Sequence, residues 1–405
     1  MSISLLAQSI SESPTLVMNE KARLLKEAGQ PVIHLGSGEP QSKTPIDAVR
    51  AAVAQLVTAD VRYTPTDGTP ALKKAILRYT EENYGKVLAP ENVVVSAGAK
   101  QSLAGILTCI LNPQDEVIIL SPYWVSYPEL AKLFYAKPII VTPEDGRFHP
   151  RMQDIEAAVT GYTRAIIINS PNNPSGAVYD EAFTKAIVEF CEKKGIWLIT
   201  DDIYHKLVFD GARWYPATRY QQCDFDDGKL VVVNGVSKLY GMTGFRIGWC
   251  LAPKKLQEAI VRVQAQTASC APALSQAGAV GALNGLQSGI ENLRLSLQNN
   301  ALVMKKELNA FNGVFLREPQ GTFYCLADFS TYERDSVKLA NMLLEKVMVV
   351  TVPGVSFGVE GHLRLSTCGT VKQIMDGVAR MKWALDPESP NEIFIGDRKM
   401  VRNWN

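Results

Sequence analysis

The chain has 405 residues, 46% of them hydrophobic and 20% charged, which is the balance of a soluble globular protein large enough for two domains. Its formal net charge of +1 creates no overall field to attract nucleic acid or an anionic membrane. Seven cysteines without a CxxC pair, and four histidines without an HExxH motif, point away from a disulfide framework and from a metal enzyme.

In chain order, the opening "MSISLLAQSISESP" lacks the charged start and long apolar run of a signal peptide. No segment reaches bilayer length, so a cytoplasmic location is expected. Seven apolar runs then read as strands: 92–98, 116–122, 137–143, 164–171, 196–202, 229–235 and 246–253, the last beginning at Arg246. Several are β-rich throughout rather than alternating, as in strands buried on both faces. Helical patterns lie between some of them, such as residues 180–195 with Gly195 as a stop signal. Strand, helix, strand in this order predicts an α/β fold with a mostly parallel sheet covered by helices. The pattern changes near residue 286. A helix over 288–310 is followed by strand-like 321–329, helical 336–347, and strand-like 348–354 and 362–369, a smaller α+β unit. The expected divisions are a large domain over 45–287 and a small one over 288–385. Residues 1–44 form an N-terminal segment that packs with the small domain, and residues 386–405 a surface extension of illegible fold.

Ligands of open parallel sheets gather at the carboxyl ends of the strands. There the chain places Ala97-Gly98-Ala99-Lys100 opening a helix, a ready anion site, although many such turns use glycine for packing alone. Asn172 and Asn173 follow the fourth run, where turn chemistry is the plain alternative. Asp201 follows the fifth, where an N-cap is the alternative. Trp124, taken alone, reads more readily as an ordinary boundary aromatic. Lys238, after Gly235-Val236-Ser237, is decisive. An ammonium at a buried strand end, with Arg246 nearby, loses its proton readily and becomes a Schiff-base nucleophile. Arg246 also suits a phosphate. A carboxylate, an amide, an aromatic plate, a phosphate cup and such a lysine meet the needs of pyridoxal phosphate.

Residues 235–248, "GVSKLYGMTGFRIG", resemble the lysine motif of the class I/II aminotransferases, fold-type-I pyridoxal-phosphate enzymes. "LGSGEP", "RYTPTDGTPALKKAI", "SPYWVSYPE", "SPNNPSG", "TDDIY" and "HLRLS" resemble the family's other blocks in the same order, across roughly residues 10–385. The likeness is greatest to bacterial aspartate aminotransferases, including the aspartate/prephenate enzymes. The resemblance implies that Lys238 binds the cofactor aldehyde and shuttles the proton, and that Asp201 pairs with the pyridinium nitrogen. Tyr204 and Asn173 would bond the phenolate oxygen, and Trp124 would stack on the ring. Ala99, Lys100, Ser237 and Arg246 would hold the phosphate, helped by Tyr63 of a neighbouring copy in a homodimer. Arg364 would clamp the substrate α-carboxylate beside Gly38 and Asn173. Lys100 and Thr15 would meet a distal carboxylate, which favours aspartate as donor and 2-oxoglutarate as acceptor in a ping-pong exchange. Lys100 reads alternatively as a solvated helix residue. Alanine, aromatic amino acids or prephenate, and a β-lyase activity, stay open as alternatives. Ser175 and Asp202 depart mildly from the pattern, standing where threonine and glutamate are usual.

Overall fold

The computed structural model describes residues 3–12, 14–143, 148–396 and 398–404. Positions 1, 2 and 13 of the N-terminal segment, and 397 and 405 of the extension, lie outside the described residues. The chain opens with helices α1 (Leu5–Ser9) and α2 (Pro14–Glu27) and the short strand β1 (Ile33–His34). Helix α2 buries Met18 and Ala22, four residues apart on one face. Helices α3 (Ile46–Val57) and α4 (Pro70–Tyr84) follow. Local sequence fixes both ends of α4. The Thr69 hydroxyl accepts from the Leu72 N–H, Pro70 opens the first turn, and Gly85 closes the helix at φ 65°.

The apolar runs become the main sheet, β2 (Val93–Ser96), β3 (Glu116–Leu120), β4 (Lys137–Val141), β5 (Thr163–Asn169), β6 (Trp197–Asp201), β7 (Leu230–Gly235) and β8 (Gly248–Leu251). Their order is β2-β8-β7-β6-β5-β3-β4. Only β8 runs antiparallel to its neighbours. Helices α5 (Ala99–Ile110) and α6 (Ser126–Leu133) follow β2 and β3. Alternate residues of β7 enter clusters on opposite faces: Val231 and Val233 join Leu103 and Leu107, whereas Val232 joins Leu72 and Ile76. The helices thus cover both sides. Residues 181–194 are helical as expected, with Asp180 capping the Phe183 N–H and Gly195 left-handed at the end. Arg246, expected to begin a strand, instead stands before it. It follows a tight turn over Thr243–Phe245 at φ 53°, and pairing starts at Gly248.

Strands β9 (Phe315–Leu316), β10 (Tyr324–Asp328), β11 (Val349–Val350), β12 (Val352–Pro353) and β13 (His362–Ser366) come next. Residues 348–354 are two strands rather than one. Strand β11 pairs in parallel with β1, while β12 pairs antiparallel with β13, so the chain changes partner at Thr351. One apolar cluster unites Met18, Ala22, Ile33 and Leu35 with Phe311, Leu343, Val347, Ile374 and Met381. The C-terminal extension is not a loose surface run. It forms a hairpin of β14 (Glu392–Ile395) and β15 (Arg398–Val401). Ile395 is buried, and Trp404 meets Trp383 edge-on at 5.5 Å. Arg402 donates to the carbonyls of Trp383, Asp386, Pro387 and Ser389.

Candidate active site

The carboxyl ends of β2, β3, β5, β6 and β7, together with the chain after β1, enclose a cavity of about 930 Å³. It lies in the size range of small-molecule sites. Thr15, Gly38, Ala99, Lys100, Trp124, Asn173, Asp201, Tyr204, Ser237, Lys238, Arg246 and Arg364 all line it. Tyr63 does not. It projects into solvent at 91% exposure, away from the cavity of its own chain.

Lys238 follows β7, and its ammonium donates to the Gly38 carbonyl at 2.7 Å. Burial, the main cause, lowers its pKa to about 8, and Arg364 and Arg246 act in the same direction. On the neighbouring strand, Asp201 ends β6 and is 4% exposed. Burial raises its carboxyl to about 6, opposed by hydrogen bonds from the Tyr127 hydroxyl and the Ile203 N–H and by the charge of Lys238. The Tyr127 bond to Oδ2 is 2.7 Å. Asn169 joins the neighbouring strand to this group. Its amide donates to the Asp201 carbonyl at 2.7 Å, and its oxygen accepts from the Asn173 N–H at 2.8 Å. Trp124 is half-buried and meets Tyr127 edge-on at 5.4 Å. Buried Tyr204 stands edge-on to Phe323 and Tyr324.

Arg364, on β13, is 2% exposed, with its guanidinium between the rings of Tyr324 at 4.3 Å and Phe357 at 4.8 Å. It donates to Asn173 Oδ1 at 3.1 Å and to the Gly36 carbonyl at 3.2 Å, while its Nε is buried without a partner. Lys100 stands at the other side of the cavity, its ammonium 4.9 Å from the centre of the Trp124 ring. Arg246 reaches back over the start of α5 and donates to the Ala97 and Thr243 carbonyls. Among the described residues, Lys100, Lys238, Arg246 and Arg364 form no ion pair with an acidic side chain. The acids lining the same cavity are Asp201 and Glu39. Arg364 is buried and Lys238 half-buried, whereas Lys100 and Arg246 are exposed. A buried guanidinium without a carboxylate is costly, so Arg364 above all calls for an anion from outside the chain.

Tyr127, Asn169, Tyr324 and His34 also line the cavity and were not among the residues singled out from sequence. Tyr127 stands in the quoted block "SPYWVSYPE", three residues after Trp124, so its position was within reach of a closer reading. The other three carry no motif of their own.

A mostly parallel sheet with a lysine beyond one strand, a carboxylate at the end of the next and an arginine over a helix N-terminus is the layout of fold-type-I pyridoxal-phosphate transferases. The family model "Aminotransferase class I and II" matches residues 30–381. A probable aspartate/prephenate aminotransferase of Aquifex aeolicus is 36% identical over 385 residues, 93% of this chain and 97% of the relative. An aspartate aminotransferase of Streptomyces avermitilis is 35% identical over 387 residues, covering 92% and 94%. Among solved structures, the aspartate aminotransferase from Thermus thermophilus with maleate superposes with a TM-score of 0.89 at 31% identity, covering 94% of this chain and 99% of that one. The chain belongs to the class I and II aminotransferases. It is a pyridoxal-phosphate-dependent transaminase.

The residues present fit that cofactor. A Cβ on Gly98 would stand 2.5 Å from Arg246 Nη2, and one on Gly248 would stand 2.3 Å from the Ala99 nitrogen. Glycine at both positions lets the Arg246 guanidinium and the N-terminal backbone of α5 lie close together, a pairing of donors that suits a phosphate. Asp201, pushed up by burial, gains from a cationic ring nitrogen beside it.

Proposed function

We propose that the protein transfers the amino group of aspartate to 2-oxoglutarate. The observation that carries this is the pair of unpaired cations, Arg364 and Lys100, in the cavity that also holds Lys238 and Asp201. A substrate with two carboxylates satisfies both. Names of the relatives at 35–36% identity support the same choice.

Pyridoxal phosphate supplies an aldehyde that joins amines and a ring that draws electrons from the bond being broken. The chain's residues do the rest. Lys238 offers a free amine at moderate cost, holds the cofactor through it, and then moves the proton at the substrate Cα. Asp201 keeps a proton on the ring nitrogen. Tyr204 and Asn173 would bond the phenolate oxygen, and Trp124 would stack on the ring. Ser237, Arg246 and the N–H groups of Ala99 and Lys100 hold the phosphate. Arg364 would fix the α-carboxylate and so orient the Cα–H bond for removal of its proton by Lys238. Orientation of this kind removes up to ~7–11 kcal/mol of barrier in the best intramolecular cases. Lys100, with Thr15 beside it, meets the distal carboxylate. The oxo acid formed leaves before the acceptor enters, which is the ping-pong order.

The working unit is a homodimer. Ile46, Val49, Val53, Leu56 and Val57 make an exposed apolar face on α3, continued by Val61 and Tyr63. A second copy covers this face and brings its Tyr63 to the phosphate. Residues 45–287 hold the cofactor, while 288–385 with 1–44 close over the substrate, a division supported by the apolar cluster that joins the two ends of the chain. All seven cysteines are free, which suits the cytoplasm. No helix among the described residues is long and apolar enough to cross a membrane.

The test is a half-reaction. Aspartate added without acceptor bleaches the visible band of the bound cofactor and releases one equivalent of oxaloacetate, whereas alanine does so far more slowly. Equal response to alanine, or none to aspartate, overturns the substrate assignment.

A further inference from the structure

Strand β1 is two residues long, with Ile33 in the apolar cluster and His34 at the cavity wall. His34 Nδ1 accepts a hydrogen bond from the Gly36 N–H at 3.2 Å. A ring nitrogen that accepts is unprotonated, so the proton of the neutral ring sits on Nε2. Burial, with the nearby charges of Lys26 and Arg364, lowers the imidazole pKa to about 4, so the ring is neutral at working pH. Gly36 in turn offers its carbonyl to Arg364 Nη2. The backbone there is tightly enclosed, since a Cβ on Gly36 would lie 3.3 Å from side-chain carbons of both Val350 and Val352. Two residues further on, the Gly38 carbonyl takes the Lys238 ammonium. The short run from His34 to Gly38 therefore supplies an acceptor to each of the two cations at the reacting end of the cavity.

We propose that His34 is a positioning residue for the substrate clamp: by holding the Gly36 N–H it sets the Gly36 carbonyl, and through it the orientation in which Arg364 meets the α-carboxylate. This rests on the reading of Arg364 as that clamp. The hydrogen bond the ring makes here goes to the Gly36 backbone and not to Lys238 or Arg364, so its loss weakens substrate binding more than turnover.

The test compares the wild-type holoenzyme with His34→Phe, His34→Asn and Arg364→Leu. Maleate, a dicarboxylate that cannot be transaminated, is titrated into each and followed by tryptophan fluorescence. His34→Phe fills the space without an acceptor. It weakens maleate about tenfold, as the loss of one hydrogen bond to a charged group's partner does, and raises KM for the amino donor alike, with kcat within about twofold. Cofactor affinity and the visible band stay as in the wild type. His34→Asn restores maleate binding, because an asparagine oxygen accepts from the N–H two residues on. Wild-type maleate affinity in His34→Phe overturns the proposal. So does failure of His34→Asn to restore it together with reduced melting temperature and cofactor affinity, since that is a packing role. Arg364→Leu separates the two levels: if it binds maleate like the wild type, the clamp assignment itself falls and the proposal with it.

Discussion

At Asp201 a carboxylate is kept where burial disfavours its charge. Its pKa of about 6 in the fold exceeds the ordinary 3.8, so the folded chain binds the proton more tightly than the unfolded one. Stability from that proton is present below about pH 4 and lost as the pH rises through 6, leaving a cost of up to ~3 kcal/mol at neutral pH without cofactor. Asp201→Asn should therefore leave the cofactor-free protein at least as stable as wild type at pH 8, with no advantage at pH 4, by thermal melting. The same variant should lose most of its transaminase activity, since an amide cannot hold the ring nitrogen protonated. A cofactor-free variant clearly less stable at pH 8 would contradict this account of the site. Asp201 and Lys238 were legible in the sequence because each stands at or just beyond a strand end with chemistry that suits it, whereas Arg364, in the middle of β13, was marked only by the resemblance of "HLRLS". Tyr127 and His34 were not. Tyr127 matters through a carboxylate 74 positions away, and His34 through a backbone N–H whose carbonyl meets an arginine 328 positions on. Local pattern carries no trace of such pairings.

Among the elements, α5 depends most on one residue. Gly98 precedes it at φ 91°, a conformation that side chains rarely adopt, and gives up its Cβ space to Arg246. Gly98→Ala should push the guanidinium aside and strain the turn by ~1–3 kcal/mol, weakening cofactor binding by about ten- to a hundredfold. Titrating cofactor into the cofactor-free variant measures it, and unchanged affinity would remove this turn from the phosphate site. The strands of the main sheet were legible because most are buried on both faces and therefore apolar throughout; only edge strand β4, with Lys137 and Ile140 exposed, departs clearly from this. The 348–354 run misled for the opposite reason. A two-residue strand shows no period, so the change of partner at Thr351 leaves no mark. The C-terminal hairpin is stabilised by Arg402 bonding scattered carbonyls, which no residue pattern encodes.

On the scale of the whole molecule, the exposed face of α3 sets the expected assembly. Burying side chains such as Val53 and Leu56 contributes ~1.5–3 kcal/mol each, so replacing both by glutamate should separate the copies. Sedimentation should show monomers. Activity should fall with dissociation, because Tyr63 would no longer reach the neighbouring site. Dimers that persist, or monomers with full activity, would rule out a shared site. Another consequence concerns the growing chain. Strand β1 pairs only with β11, and roughly 300 residues lie between them. At a synthesis rate of about 5–20 residues per second, β1 waits some ~15–60 s on the ribosome for its partner. Before Val349 emerges, all the residues proposed to hold the phosphate, from Ala99 to Arg246, have been made, yet the chain leading to the Gly36 and Gly38 carbonyls has no strand pairing to hold it. On the proposed assignment, the nascent chain carries its cofactor cup long before its substrate clamp, and translation itself sets the order in which the site is completed.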